Sequence, residues 1–375
     1  MSTSSADPTT GRSTPPSAAP SPGAAPGPGA PASRRSHPFA RFVLIRLSVG
    51  LLLCLGITML AFALTHAVPG DPVAANLGQR ALGDPAAVAA FKEKNGLNDS
   101  LPSQYFTYLG NLLNGDLGTS QQTHRPVWDD LDQYVPASVE LALVAIVLAL
   151  ALGVTMGVVA AVTRDRWPDQ IIRVISLAGV SVPVFWLALV VFYVFFYQLG
   201  WFPAGGRLPP GAEPPGDITG LYTVDALLGG DFATFNDAAS RLVLPASVLA
   251  AFNVGVLTRF TRAAVLEALG NDYVRAARAK GLPETTVIRR HVLRPALTSI
   301  LTVAGLTFGG MLAGTVLVES VFSWPGLGQY AYRSALNLDL PSIMGVCLVV
   351  AVVYVVINLL VDLLYGVIDP RIRIS

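Results

Sequence analysis

Charge is scarce in this sequence. Only 13% of its 375 residues are Asp, Glu, Lys or Arg, against roughly 25% in an ordinary soluble domain. With 52% hydrophobic residues and a mean hydropathy of +0.55, the deficit means that much of the surface faces lipid rather than water. A net charge of +1 gives no overall attraction to nucleic acid. Lysine is rarer still: Lys92, Lys94 and Lys280 are the whole complement, and none is followed by Ser or Thr. A phosphate-binding loop ending in Gly-Lys-Ser/Thr is therefore absent, so any energy comes from a partner or an ion gradient. The two cysteines, Cys54 and Cys347, fall inside apolar runs. They read as small buried hydrophobes and exclude a disulfide framework or a thiolate metal site. Histidine is limited to His37, His66, His124 and His291, with no His-Glu-x-x-His motif.

What is abundant is long apolar runs. A spanning helix needs about 20 mostly apolar residues, and six segments qualify: Phe42 to Leu64, Val139 to Val162, Ile171 to Leu199 with Pro183 inside it, Leu242 to Leu257, Ala296 to Val318, and Ile343 to Tyr365. The fourth is the weakest, being short and containing Asn253. Before them, residues 1–38 are rich in Pro, Ala and Ser and carry almost no large apolar side chains, so they are expected to form a disordered tail. No cleavage signal stands out, and the first span is expected to stay in the membrane. Threading six spans with the N-terminus in the cytosol places all but seven of the 25 Lys and Arg residues on the cytosolic side. That bias predicts both termini cytosolic. The expectation is an all-α integral membrane domain over residues 39–375, with outer loops at 66–138 and 200–241. Both loops are net acidic. The first contains an amphipathic stretch, Gln104 to Leu113, which either lies on the outer membrane surface or packs as a surface helix.

The most organised polar segment joins spans four and five, residues 262–295. Asn271 is placed to cap a helix, with Asp272 at its positive end. Tyr273, Ala276, Ala277 and Lys280 share one small, largely apolar helical face, and Arg275 and Arg278 share a neighbouring one. Gly281 suits a left-handed C-terminal position. Pro283 and Glu284 suit the first turn of a second helix, which is expected to reach Arg294 before Pro295 opens span five. Taken alone, this could be either a basic cytosolic loop that satisfies topology or a built docking element.

The run Asp272-Tyr-Val-Arg-Ala-Ala-Arg-Ala-Lys-Gly281, followed by Arg290-His-Val-Leu-Arg294, resembles the coupling loop of ATP-binding-cassette (ABC) importer permeases. The family pattern is Glu-Ala-Ala, three residues, Gly, nine residues, Ile, one residue, Leu-Pro. Ala276, Ala277, Gly281 and Leu293 fall on it. Arg275, His291 and Arg294 depart from it in a way that is similar to the peptide and nickel branch. Other stretches follow in the order of the first permease of dipeptide and oligopeptide importers: Pro69-Gly-Asp-Pro72, Gly115-Asp-Leu-Gly-Thr-Ser120, Ser181-Val-Pro-Val-Phe-Trp186, Glu319-Ser-Val-Phe-Ser-Trp-Pro-Gly-Leu-Gly328 and Asp369-Pro-Arg371. The resemblance implies a type I importer permease. It would act with a second permease chain, two cytosolic P-loop ATPases that hold ATP and Mg, and an extracytoplasmic peptide-binding protein. It implies no cofactor on this chain and a bacterial inner-membrane location.

Two further groups of residues remain open in function. Glu319, Phe322, Trp324, Pro325 and Gly326 either shape an outer gate or docking surface, or only fix a turn. Asn358, Asp362 and Tyr365 recur at helical spacing and either line an inner pathway or bond neighbouring helices together. Two other classes of function compete with the importer reading. A gradient-driven carrier would place carboxylates deep in the membrane, whereas Glu140, Glu319 and Asp362 fall near span ends. A non-transporting scaffold would show six spans without reason to carry the coupling pattern. An intramembrane serine protease at Ser181 lacks any histidine within a span.

Overall fold

The computed structural model describes residues 38–67, 84–94, 99–216 and 218–368. The proline-rich tail, the Pro69–Pro72 motif and the Asp369–Arg371 motif lie outside the described residues. Among those described the chain is helical: α1 Pro38–Ala67, α2 Pro85–Lys94, α3 Leu101–Leu113, α4 Val127–Val162, α5 Trp167–Ser181, α6 Val184–Gln198, α7 Tyr222–Leu228, α8 Phe232–Leu269 and α9 Asp272–Ala279. Then α10 runs through three abutting pieces, Glu284–Thr286, a π-helical Val287–Leu293, and Arg294–Gly314. The chain continues with α11 Val316–Val321, α12 Leu327–Leu336 and α13 Leu340–Ile368.

Five of these helices are long and apolar enough to cross a membrane, namely α1, α4, α8, α10 and α13. The expected third span differs from a single helix. It is the pair α5 and α6, bent by 99° at Val182 and Pro183. The physical reason is in the sequence: proline lacks an N–H and pushes the preceding residue out of helical geometry, and Val182 is extended. The fourth span also differs. It is no short helix but the 38-residue α8, started by Asp231, whose carboxylate accepts hydrogen bonds from the backbone N–H of Ala233 and Thr234 at 3.1 and 3.0 Å. Polar residues at both ends hid its length, because a hydropathy window ends where the helix leaves the lipid.

The core is the pairing of α4 with α8. Along α4, Ala137, Leu141, Ala142, Ala145, Ala149, Gly153, Gly157 and Ala160 are buried at helical spacing. They meet Ala246, Leu249, Ala250, Leu257, Thr258 and Thr261 of α8. Small side chains let the two backbones approach closely. A Cβ on Gly157 would sit 2.5 Å from the Thr261 Cβ and 2.8 Å from the Thr258 carbonyl oxygen. On another side of α8, a Cβ on Gly255 would sit 2.5 Å from the Ser176 carbonyl oxygen of α5. By contrast, α1 packs on α13 and presents Leu44, Leu51, Leu52 and Met59 outward, as a lipid-facing helix does. Helix α3 does pack: the Tyr105 hydroxyl lies 3.1 Å from Thr58 Oγ1, and its ring meets Phe62 edge-on at 5.4 Å. Its other face carries Phe106 and Leu113, 69% and 88% exposed.

Gly157→Leu is expected to lower the thermal unfolding temperature of the detergent-purified chain, with an overpacking cost of about 1–3 kcal/mol. Gly56→Leu, on α1 with nothing within 4 Å of its Cβ, should leave it unchanged. Equal melting of both variants would show that the α4–α8 contact is not what limits stability.

Candidate functional site

The turn between α8 and α10 is built from two stops and a short helix. Asn271 has extended backbone geometry, as expected of a residue before a helix, but its side chain does not cap α9. It reaches back instead, and Nδ2 donates to the carbonyls of Glu267 and Ala268 at 3.1 and 3.4 Å. It therefore helps to close the end of α8, adding to the backbone N–H groups of Gly270 and Asn271 that reach the same carbonyls at 3.2 Å each where the helical ladder ends. At the other end of α9, Gly281 has φ +74°. Its N–H bonds the Arg278 carbonyl at 2.9 Å, and the Leu282 N–H reaches the Ala277 carbonyl at 3.4 Å. This paired closure is the left-handed glycine stop anticipated from the sequence.

The faces of α9 sort differently from the expected grouping. Ala277 points inward with Val274, and both are buried among Ala161, Val265, Ala268, Val287, Val292, Ala296 and Ile300. Tyr273, 44% exposed, is joined on the outward side by Ala276 and Lys280, which are exposed as well. Eight residues make little over two turns, and the buried pair at 274 and 277 sets which side faces the protein. Arg275 pairs with Asp272 in its own helix. Arg278 bonds Glu284 at 2.6 and 3.1 Å; that bond to a carboxylate holds its guanidinium above the usual arginine range. The second helix does not stop at Arg294. The π-helical turn carries His291 and Leu293, both half-buried, directly into span five, with Arg294 exposed at the junction. Pro295 lacks the N–H that an α-helical register would need there, which favours a wider turn instead of a break.

A second buried cluster lies at the outer end. Glu319 is fully buried. Its Oε1 accepts from Ser138 Oγ at 2.8 Å and Thr315 Oγ1 at 2.6 Å, and its Oε2 accepts from the Gln329 N–H at 2.7 Å. Ser138 Oγ in turn accepts from the Leu327 N–H at 2.7 Å. Two residues of other helices thus satisfy the free N–H groups that start α12. Gly326 leaves the space that the carboxylate occupies. Trp324 is buried and donates through Nε1 to the Ala137 carbonyl at 2.9 Å, while Pro325 is half-buried beside it. Phe322 is buried against Phe192 at 5.6 Å, and its carbonyl accepts the Gly206 N–H at 3.0 Å. The group therefore has the geometry of a locked turn, with its large side chains turned away from the outer surface.

At the inner end, Asp362 pairs with Arg46 of α1 at 2.8 Å. Asn358 donates to the Tyr354 carbonyl of its own helix at 2.8 Å. The side chain of Tyr365 lies outside the described residues.

Three polar arrangements went unanticipated. Glu140 receives Arg207 at 2.7 Å and the Thr223 hydroxyl and N–H at 2.7 Å each, with Arg207 lying 3.4 Å over the Tyr222 ring. This pins the second outer loop onto α4, and Arg241 adds bonds to the Ala204 and Gly205 carbonyls at 2.6 and 2.9 Å. In the same loop burial pushes the Asp225 carboxyl up, but bonds from Thr219 and neighbouring backbone N–H groups outweigh it and hold the group below its usual range. Asp339 accepts from Ser120 and Ser342 at 2.6 and 2.8 Å, and Tyr330 links Ser342 to Asp130 at 2.7 and 3.0 Å. Finally, Asp169 of α5 receives both arms of Arg262 of α8 at 2.8 Å each. The available signal was a charged residue at each span border, and for Asp169 even that is blurred by a local pairing with Arg173 at 3.5 Å.

Glu319→Ala leaves two hydroxyls and one N–H without their acceptor, at a cost of about 3 kcal/mol. Thermal unfolding in detergent should rank wild type above Glu319→Gln above Glu319→Ala. A Glu319→Ala variant as stable as wild type would show that this carboxylate does not hold the turn.

Residues 153–374 match the family described as binding-protein-dependent transport system inner membrane component, and residues 39–142 match the N-terminal family of the same systems. The probable D,D-dipeptide transport system permease protein DdpB of Escherichia coli (strain K12) is 43% identical, over 84% of this chain and 93% of that protein. The di/tripeptide transport system permease protein DppB of Pseudomonas aeruginosa (strain UCBPP-PA14) is 42% identical, over 88% and 98%. The dipeptide transport system permease protein DppB of Escherichia coli (strain K12) is 38% identical, over 89% and 98%. Among solved structures, the MetNI methionine ABC transporter in an inward-facing conformation matches 62% of this chain and 93% of that one, with TM-score 0.46 and 16% identity. With two family matches that together run almost from the first helix to the C-terminus, the chain belongs to the binding-protein-dependent transport system inner membrane components: it is a multi-pass, non-catalytic permease subunit of an ABC importer.

Proposed function

We propose that this permease forms half of a pathway for dipeptides or short oligopeptides. A second, different permease chain forms the other half. Two cytosolic P-loop ATPases hold ATP and Mg, and an extracytoplasmic binding protein delivers the peptide. The names of the relatives support the substrate class, and the missing phosphate-binding loop calls for ATPase partners.

The observation that carries the coupling role is the exposed face of α9. Tyr273, Ala276 and Lys280 stand outward on a helix whose opposite side, Val274 and Ala277, is anchored in a buried cluster. A short helix with one apolar side locked and the other open suits insertion into a groove of an ATPase. Its two ends lead straight into α8 and α10, so a push on α9 reaches two spans at once. Asp272, Arg275, Arg278, His291, Leu293 and Arg294 complete the segment.

Gentle detergent purification of the tagged chain, followed by mass spectrometry, is expected to recover a second six-span permease and P-loop ATPases. Their absence, under conditions that preserve other membrane complexes, would overturn the assembly. Within an intact complex, Gly281→Val forces a β-branched residue into left-handed geometry at a cost of about 1–2 kcal/mol. No neighbour lies within 4 Å of the new Cβ, so only the turn is strained. Uptake per ATP hydrolysed should fall several-fold; unchanged uptake and hydrolysis would remove Gly281 from the coupling path.

A further inference from the structure

Helix α5 is the inner half of the broken span and touches neither α9 nor the π-helical turn through any described hydrogen bond. Its tie to the coupling segment runs through α8. Asp169, in the first turn of α5, is fully buried. It takes Nε and Nη2 of Arg262 at 2.8 Å each, the Asp165 N–H at 3.0 Å, and Arg173 at 3.5 Å. A two-point guanidinium–carboxylate contact fixes orientation as well as distance. The contact also spans a tight turn, since Asp165, between α4 and α5, has φ 62° and donates to the same carboxylate. Two helical turns further into the membrane, the Ser176 carbonyl rests on Gly255 with no room for a side chain. Two separated points, one ionic and one steric, prevent α5 from sliding or rotating on α8. Seven residues beyond Arg262, α8 ends and leads through Gly270 and Asn271 into α9. At its far end α5 is released, because the helix is interrupted at Val182 and Pro183.

We infer that Arg262 and Asp169 are positioning residues of the transport cycle: their clamp makes α5 move as one piece with α8 and the coupling helix, so that motion of α9 reaches the broken span. The inference rests on the coupling role proposed for α9. A coupling claim of this kind needs a physical link between elements with two arrangements. The clamp is that link, and the break at Val182 and Pro183 is what frees α5 to take a second arrangement.

The test uses the complete transporter in proteoliposomes with ATP and peptide-loaded binding protein. ATP-driven uptake by the unaltered complex, and its several-fold loss per ATP in Gly281→Val, are established first, so that failure of the coupling role itself shows at that step. Arg262→Gln should then assemble and hydrolyse ATP, while uptake per ATP falls about tenfold, the size of an ordinary coupling between sites. Arg262→Lys, which keeps the charge and loses the fork, should retain an intermediate ratio. An unchanged ratio in Arg262→Gln overturns the inference. If Arg262→Gln fails to assemble, spin labels decide the matter with the clamp intact. Labels at Val174→Cys on α5 and Phe260→Cys on α8, in a chain with Cys54 and Cys347 replaced by serine, should give one unchanged distance with and without trapped ATP. A distance that shifts between those states overturns the inference.

Discussion

In hydrocarbon a helix gains little by hiding leucine from its surroundings, because lipid is as apolar as leucine. What holds spans together is close contact between backbones and the bonding of polar groups that have no water to turn to. The α4–α8 pairing is where this chain meets that constraint. Alanine and glycine on α4 bring its backbone against Leu257, Thr258 and Thr261 of α8, and the other elements are arranged around the pair. Helix α5 rests on α8 at Gly255, α6 packs on the same core, and α10 packs on both α4 and α8.

The second level of organisation is polar. Each buried carboxylate at the borders of the spans ties a loop or a neighbouring helix to the core. Glu140 holds the second outer loop through Arg207 and Thr223, and Glu319 holds the start of α12. Asp339 joins the outer turns, and Asp169 joins the inner end of α5 to α8. None of these groups sits free in the membrane interior as a proton carrier would need. Each is bonded by several donors, an arrangement that makes a buried polar group rigid instead of mobile. The architecture is therefore tied together between the segment that holds α9 and the turn at Glu319, with interruptions at Pro183 and at the π-helical turn before Arg294.

Much of the segment between α8 and α10 was legible along the chain. A glycine stop, a proline start and a short polar helix are local events, dictated by backbone preference within a few residues, and Gly281 and α9 lie where those preferences put them. Asn271 was misjudged because two helix ends compete for one amide, and only the path of the chain settles which carbonyls or N–H groups lie within reach. The inward turn of Ala277 has the same origin: periodicity alone names a face without saying which neighbour it meets.

The sequence by itself determined the membrane setting, the number of apolar runs, the inside–outside bias and the family, because each depends on composition or on residues close together in the chain. Tertiary structure alone decided that α8 continues well past its apolar stretch, and that Glu319 serves a helix start ten residues away. It also decided which distant charges meet, as Asp169 with Arg262 and Glu140 with Arg207. Ion pairs between residues 67 or 93 positions apart leave no local trace, since a charge at a span border looks the same whether water or a buried partner neutralises it.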